Sequence, residues 1–175
     1  MSDSFDTHPA RLTSDDLMKH VETTRVKRSG PGGQRRNKVE TGVVMKHRPT
    51  GITAEASERR SQKENQKVAL LRLRIKLANH VRCQCGDERS LSKLWKSRCV
   101  SGRPNVNSTH DDFPAMLAEA IDWLAAFDWN IKDAALKLEC STSQLLKFLA
   151  KDSSALNQLN KYRAELGLKP LSVSK

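Results

Sequence analysis

Residues 29 to 38 read Ser29-Gly30-Pro31-Gly32-Gly33-Gln34-Arg35-Arg36-Asn37-Lys38. Three glycines and a proline so close together exclude a helix interior or a central strand. Glycine reaches φ > 0 at little steric cost and lets backbone come close to a ligand. One neutral amide and three cations, Arg35, Arg36 and Lys38, follow at once. The stretch reads as an exposed loop whose backbone approaches a ligand while cations grip phosphates beside it. Working outward, Val21 to Lys27 alternates loosely and reads as a strand entering the loop. Thr41 to Lys46, a turn at Pro49-Thr50-Gly51, and Ile52 to Ala56 read as a hairpin. Upstream, Thr13 or Ser14 caps a short helix through His20, with Asp15 and Asp16 at its positive end. Downstream, Ser57 to Ser61 offers a cap, and Gln62 to Asn79 follows as a long helix. Its expected apolar stripe is Val68, Leu71, Ile75 and Ala78, flanked by Leu70 and Leu77.

Charge is segregated around that loop. The chain has 175 residues with 31 Lys and Arg against 20 Asp and Glu, a formal net charge of +11. Residues 14 to 80 hold 16 of the basic and 7 of the acidic residues, so +9 of the total lies there. Residues 81 to 112 carry +2, residues 113 to 175 carry +1 and residues 1 to 13 carry −1. A positive field concentrated this way points to a polyanion, most simply nucleic acid. No stretch approaches the ~18 apolar residues of a membrane span, and the polar start is no signal peptide. A cytoplasmic location is expected, with no membrane partner.

Beyond residue 80 the pattern changes. Gly86, Gly102 to Asn105 and Asn107 to Thr109 mark residues 81 to 112 as a linker, with one short helix near Leu91 to Trp95. Asp112 is expected to cap a helix opening Phe113-Pro114, buried on two sides through Leu117, Ala120, Ile121 and Leu124, and through Met116, Trp123 and Phe127. Ile131 to Leu138 forms a further helix, Ser141-x-x-Gln144 a capping box starting the next, and a last helix runs from Asp152 to Gly167. The pair joined across Glu139-Cys140-Ser141 resembles a helix-turn-helix, or simply packs as a small bundle. The expected organisation is a disordered segment 1–13, a loop-bearing domain 14–80, a linker 81–112 and a helical domain 113–175. The fold class is α+β, a small mixed sheet with a long packing helix, followed by an all-α region.

Hydrolytic chemistry based on a nucleophile finds little support. There is no G-x-S-x-G elbow and no G-x-x-x-x-G-K-[ST] phosphate loop. Cys83, Cys85, Cys99 and Cys140, with His80, match no paired-arm metal spacing, so neither a metal nor a cofactor is expected. Gln34 cannot serve as a base at neutral pH, because a carboxamide does not titrate there. Any catalysis by the loop must come from placing donors and a water.

Ser29-Gly-Pro-Gly-Gly-Gln34, Asn37-Lys38 and Thr41-x-Val43 together resemble the catalytic domain of class I peptide chain release factors. The resemblance continues through His47-x-Pro49-Thr50-Gly51-Ile52 and Arg60-Ser61-Gln62-x-x-Asn65, and covers residues 14 to 80. It implies that Gly32, Gly33 and Gln34 enter the peptidyl-transferase centre of the large ribosomal subunit. There they would help water attack the ester that joins nascent peptide to tRNA. It further implies that Arg28, Arg35, Arg36, Asn37 and Lys38 contact ribosomal RNA, with Arg59, Arg60 and Lys63 as weaker candidates. Gln34 would be a target for a glutamine methyltransferase. The thirteen residues ahead of the domain leave no room for a codon-reading domain, so the resemblance points to the short codon-independent relatives that rescue stalled ribosomes. The chain departs from those relatives in two ways. Its C-terminal region is helical and nearly neutral rather than a basic tail, and Arg36 stands where a small apolar residue is common. A monomer is expected. The competing readings are a non-hydrolytic ribosome- or RNA-binding quality-control factor and a DNA-binding regulator using residues 131 to 150.

Overall fold

The computed structural model describes residues 7–27, 41–83 and 90–173, and they divide into two compact units. One unit comprises residues 12–77; the other joins the N-terminal segment through Arg11 to residues 78–175.

The 12–77 unit contains no Phe, Trp or Tyr, so its core is thin and aliphatic. Helix α1 (Ser14–Met18) is capped by Thr13, whose hydroxyl oxygen accepts from the Asp16 N–H, and it buries Leu17. Strands β1 (Val21–Val26), β2 (Gly42–His47) and β3 (Thr53–Ala56) form one sheet in the order β1-β2-β3. Both pairings are antiparallel, so the sheet, expected to be mixed, has a single sense among the described residues. The α+β class itself holds.

Val43, Met45 and His47 are buried on one face of β2, with Ala54 and Ala56 beside them on β3. The long helix α2 (Gln62–His80) lies over this face. Arg72 donates to the Glu55 carbonyl at 2.8 Å and Lys76 to the Thr53 carbonyl at 2.8 Å, so one flank of α2 covers the β3 edge. Such cover blunts a strand edge that would otherwise present unpaired backbone groups.

The buried row of α2 differs from the expected one. Asn65, Ala69, Leu73 and Leu77, each four residues from the last, are fully buried; of the expected stripe Ala78 is fully buried too, as is the flanking Leu77, whereas Val68, Leu71 and Ile75 are half-buried. Leucines and valines occur on more than one side of this helix, so spacing alone selects the wrong row. A polar residue, Asn65, heads the true one.

The His47 to Ile52 turn is fixed by its own residues. The His47 Nδ1 lies 2.8 Å from the Thr50 hydroxyl, the Gly51 N–H donates to the His47 carbonyl, and Gly51 adopts φ +71°. Burial, with His20 nearby, holds the His47 imidazole below its ordinary pKa.

The second unit contradicts two sequence expectations. Residues 7 to 13 are not disordered: Pro9–Arg11 forms a 3-10 turn, and His8, Pro9 and Ala10 are buried. Nor are the described parts of 81–112 a bare linker. Ser92 caps helix α3 (Lys93–Arg98), which lies slightly beyond the expected Leu91 to Trp95 and leads into the two-stranded β4 (Cys99–Val100) and β5 (Arg103–Pro104). The buried Trp95 donates its indole N–H to the Leu138 carbonyl at 2.9 Å. That anchor is 43 residues away in sequence, out of reach of any local pattern.

Helix α4 (Phe113–Ala126) forms the centre of the unit and is buried from Phe113 to Leu124. Asp112 makes no side-chain cap for it; its carboxylate instead accepts two hydrogen bonds from Arg98, at 2.9 and 2.6 Å. Helices α5 (Ile131–Lys137), α6 (Thr142–Leu149) and α7 (Ser153–Glu165) follow, capped by Asn130, Ser141 and Asp152. Between α5 and α6, Glu139 takes the left-handed conformation at φ +53°. Its N–H donates to the Leu136 carbonyl while that of Cys140 donates to Ala135, a Schellman ending. Trp95 and Phe113 both pack against Phe148, with ring centroids 5.7 and 5.5 Å from it.

Two buried carboxylates on α4 hold the outlying chain. Asp122 accepts from the Cys83 N–H at 3.2 Å and lies 3.5 Å from the Arg82 guanidinium; Glu119 accepts from both the N–H and the hydroxyl of Ser92. His8 contacts the Val81 carbonyl through Nε2 at 3.1 Å and accepts from the Ala10 N–H through Nδ1. Burial pulls the His8 pKa from 6.5 to about 4, against the Val81 hydrogen bond that raises it. A depressed histidine pKa means the folded state favours the neutral ring. Its contribution is fully present above pH 6.5 and is lost as pH falls towards about 4. Burial raises Asp122 to about 6, which acts with the opposite sign, but that group is shared by wild type and a His8 variant and cancels in their difference. His8→Asn should therefore narrow the stability gap from wild type by about 3 kcal/mol between pH 7 and pH 4. Urea unfolding followed by tryptophan fluorescence measures this in the right unit, since Trp95, Trp123 and Trp129 all belong to it.

Candidate nucleic-acid interface at the root of the glycine-rich segment

Gly32, Gly33 and Gln34, with Arg28, Arg35, Arg36, Asn37 and Lys38, lie outside the described residues. The structure does define the root from which their segment departs. Val26, the last residue of β1, stands opposite Gly42, the first of β2. A Cβ at Gly42 would fall 2.8 Å from both the Val26 carbonyl oxygen and its Cγ2, so this close approach admits only glycine without a shift of the strands.

A single side chain joins this root to the start of α2. Asn65 is fully buried, and its amide nitrogen donates to the Thr41 carbonyl at 2.7 Å and to the Arg59 carbonyl at 2.9 Å. Its amide oxygen accepts from the Arg59 N–H at 2.8 Å. Both amide protons and the carbonyl oxygen are thus engaged, which leaves no buried polar atom of this side chain idle. The clasp brings residues 57 to 63 beside the exit of the glycine-rich segment.

Arg59, Arg60 and Lys63, all expected as RNA contacts, are exposed and sit at this end of the unit. Their side chains make no hydrogen bond or ion pair with the described residues. Among the described cations this sets them apart from Arg72, which pairs with Glu58 at 2.7 Å, and Lys19, which pairs with Asp16 at 2.7 Å. Uncommitted cations around a loop root suit phosphate oxygens, which position a partner without reading its sequence.

Sequence reasoning quoted Asn65 as a landmark but assigned it no role; its signal was the polar head of an otherwise apolar i, i+4 row. No group of three or more His, Cys, Asp or Glu suited to a metal occurs among the described residues. No described helix is long and apolar enough to cross a membrane.

The β1–β2 pair thus opens towards the Gly-Gly-Gln segment beside the basic start of α2, which Asn65 clasps. Residues 15–107 match the RF-1 domain family, just over half of the chain, and the chain belongs to that family. Over 49 residues it is 49% identical to an uncharacterized peptide chain release factor-like mitochondrial protein of Saccharomyces cerevisiae, covering 28% of this chain and 32% of that one. Over 86 residues it is 43% identical to peptide chain release factor 1 of Streptococcus thermophilus, covering 49% of this chain and 23% of the relative. The same protein of Streptococcus pyogenes is 42% identical over 86 residues. The chain thus spans about a third or less of the relatives it matches.

Proposed function

We propose that this chain hydrolyses the ester of peptidyl-tRNA on the ribosome, without reading a codon. The observation that carries the hydrolysis is the Ser29 to Lys38 sequence, intact in both glycines and the amide, in a chain of the RF-1 domain family. Codon independence rests on the resemblance to short rescue relatives.

In this reading the oxygen of a water attacks the ester carbonyl. The bond to the tRNA ribose oxygen breaks, the proton passes to that oxygen, and peptide acid and free tRNA leave. Negative charge builds on the carbonyl oxygen in the transition state, and the backbone N–H of Gln34 is the donor assigned to it. One well-aimed donor of this kind contributes about 2.7–4 kcal/mol in acyl transfer. The Gln34 side chain shapes the pocket and excludes other nucleophiles. Arg28, Arg35, Arg36 and Lys38, with Arg59, Arg60 and Lys63 at the clasped helix start, hold ribosomal RNA phosphates and so place the loop.

The test is peptide release from ribosomes holding labelled peptidyl-tRNA on four messages: truncated at the A site, extending well past it, or carrying a sense or a stop codon there. Release confined to truncated messages is the expected result. Release that requires a stop codon would overturn the codon-independent part of the proposal.

A further inference from the structure

Two pieces of chain that the proposed reaction needs in register meet on one side chain. Thr41 is the first described residue after the glycine-rich segment, and its carbonyl accepts from the Asn65 amide nitrogen at 2.7 Å. The same amide holds both backbone groups of Arg59, accepting from its N–H at 2.8 Å and donating to its carbonyl at 2.9 Å. The stretch between β3 and α2 is fixed to the root on its other side as well. The Ser57 Cβ stands 3.4 Å from where a Gly42 Cβ would be, and Arg72 on α2 pairs with Glu58 at 2.7 Å. Arg59, Arg60 and Lys63 are therefore exposed cations on a braced piece of backbone.

A contact of this kind differs from the apolar packing around it. Burial of Leu73 or Leu77 stabilises the unit without direction, because apolar burial has no preferred angle. A planar carboxamide with three hydrogen bonds is directional, since each weakens steeply as its angle bends. Asn65 thus fixes how the Thr41 peptide is turned relative to the Arg59 peptide, in addition to adding stability.

We propose that Asn65 is a positioning residue for peptide release. It makes the cationic helix start and the root of the Gly-Gly-Gln segment one rigid piece, so that phosphates gripped by Arg59, Arg60 and Lys63 set where that root is held. The inference deepens the proposed function and rests on its reading of the segment as catalytic. Asn65 touches neither ester nor water and acts only through Thr41. A misplacement of about 1 Å far from the chemistry costs roughly a hundredfold in rate, which sets the size of the expected effect.

The test is single-turnover release by the full chain on ribosomes stalled on truncated message, read as the saturated rate and the chain concentration giving half of it. Asn65→Ala should lower the saturated rate about a hundredfold and move the half-saturating concentration less than about threefold. Leu73→Ala, in the same helix and fully buried, is the control for lost stability. Matched to Asn65→Ala by hydrogen exchange at the β2 amides, it should keep the saturated rate within about threefold of wild type. A second readout is coupling. The pair Arg60→Gln, Lys63→Gln should slow saturated release in the wild-type and Leu73→Ala backgrounds but not in Asn65→Ala, where the cations no longer steer the root. If Asn65→Ala lacks protected β2 amides, Asn65→Ser, whose hydroxyl keeps one donor, replaces it with an expected loss of about tenfold. Equal rate losses in the Asn65 and Leu73 variants, or a cation effect on rate that ignores Asn65, would overturn the positioning role and leave the hydrolase reading standing. Wild-type chain that binds ribosomes without releasing peptide would strike the hydrolase reading and this inference together.

Discussion

Asn65→Ala is expected to destabilise the 12–77 unit by about 3 kcal/mol or more. The change removes the three hydrogen bonds of a fully buried side chain, to the Thr41 and Arg59 carbonyls and from the Arg59 N–H, and each contributes about 0.5–1.5 kcal/mol. A domain without aromatic residues has little spare burial to absorb that loss. Tryptophan fluorescence cannot see it, since all three tryptophans belong to the other unit, so hydrogen exchange at the β2 amides is the readout. Asn65→Asp separates shape from hydrogen bonding. It keeps the acceptor for Arg59 but faces two carbonyls with an anion, and so should destabilise more at pH 7 than at pH 4, where a protonated acid can donate to one of them. Equal exchange rates in wild type and the alanine variant would mean that the clasp contributes nothing.

Gly33→Ala should lower peptide release by at least about a hundredfold while leaving ribosome association within a few-fold of wild type. The expectation is conformational. A Cβ removes the φ > 0 region and the close backbone approach that a Gly-Gly pair makes available, and the Gln34 N–H that follows is the donor whose aim matters. The figure corresponds to losing one oxyanion donor, about 2.7 kcal/mol or more. The cations that position the loop are untouched, so binding is retained. Comparable losses in release and binding would instead assign Gly33 to docking.

The sheet and the long helix were legible because they depend on short-range signals. The Thr13 cap, the turn at Gly51 and the Gly167 ending, where φ is +69°, follow from residues within a few positions of one another. What was not legible depends on partners far along the chain. His8 is held by Val81, 73 residues away, and Ser92 by Glu119, 27 away, so both segments look like unstructured polar sequence when read alone. Asp112 has the residue type of a helix cap, but Arg98 takes its carboxylate. The α2 stripe was misplaced because its apolar residues occupy more than one side, and the row that faces the sheet begins with an asparagine. At the candidate site the cations were visible as composition. Their common position at the loop root follows from the Asn65 clasp, which no single stretch of sequence reveals.

The central claim is that the intact Gly32-Gly33-Gln34 sequence makes this chain a hydrolase. The most direct measurement is a single-turnover time course of labelled peptide release by the wild-type chain on ribosomes stalled at the end of a truncated message, with ribosome association followed in the same samples. Release that rises with ribosome occupancy, far faster than spontaneous ester hydrolysis, is the predicted result. Saturated association with release at the spontaneous rate would contradict the claim and place the chain among non-hydrolytic ribosome-binding factors.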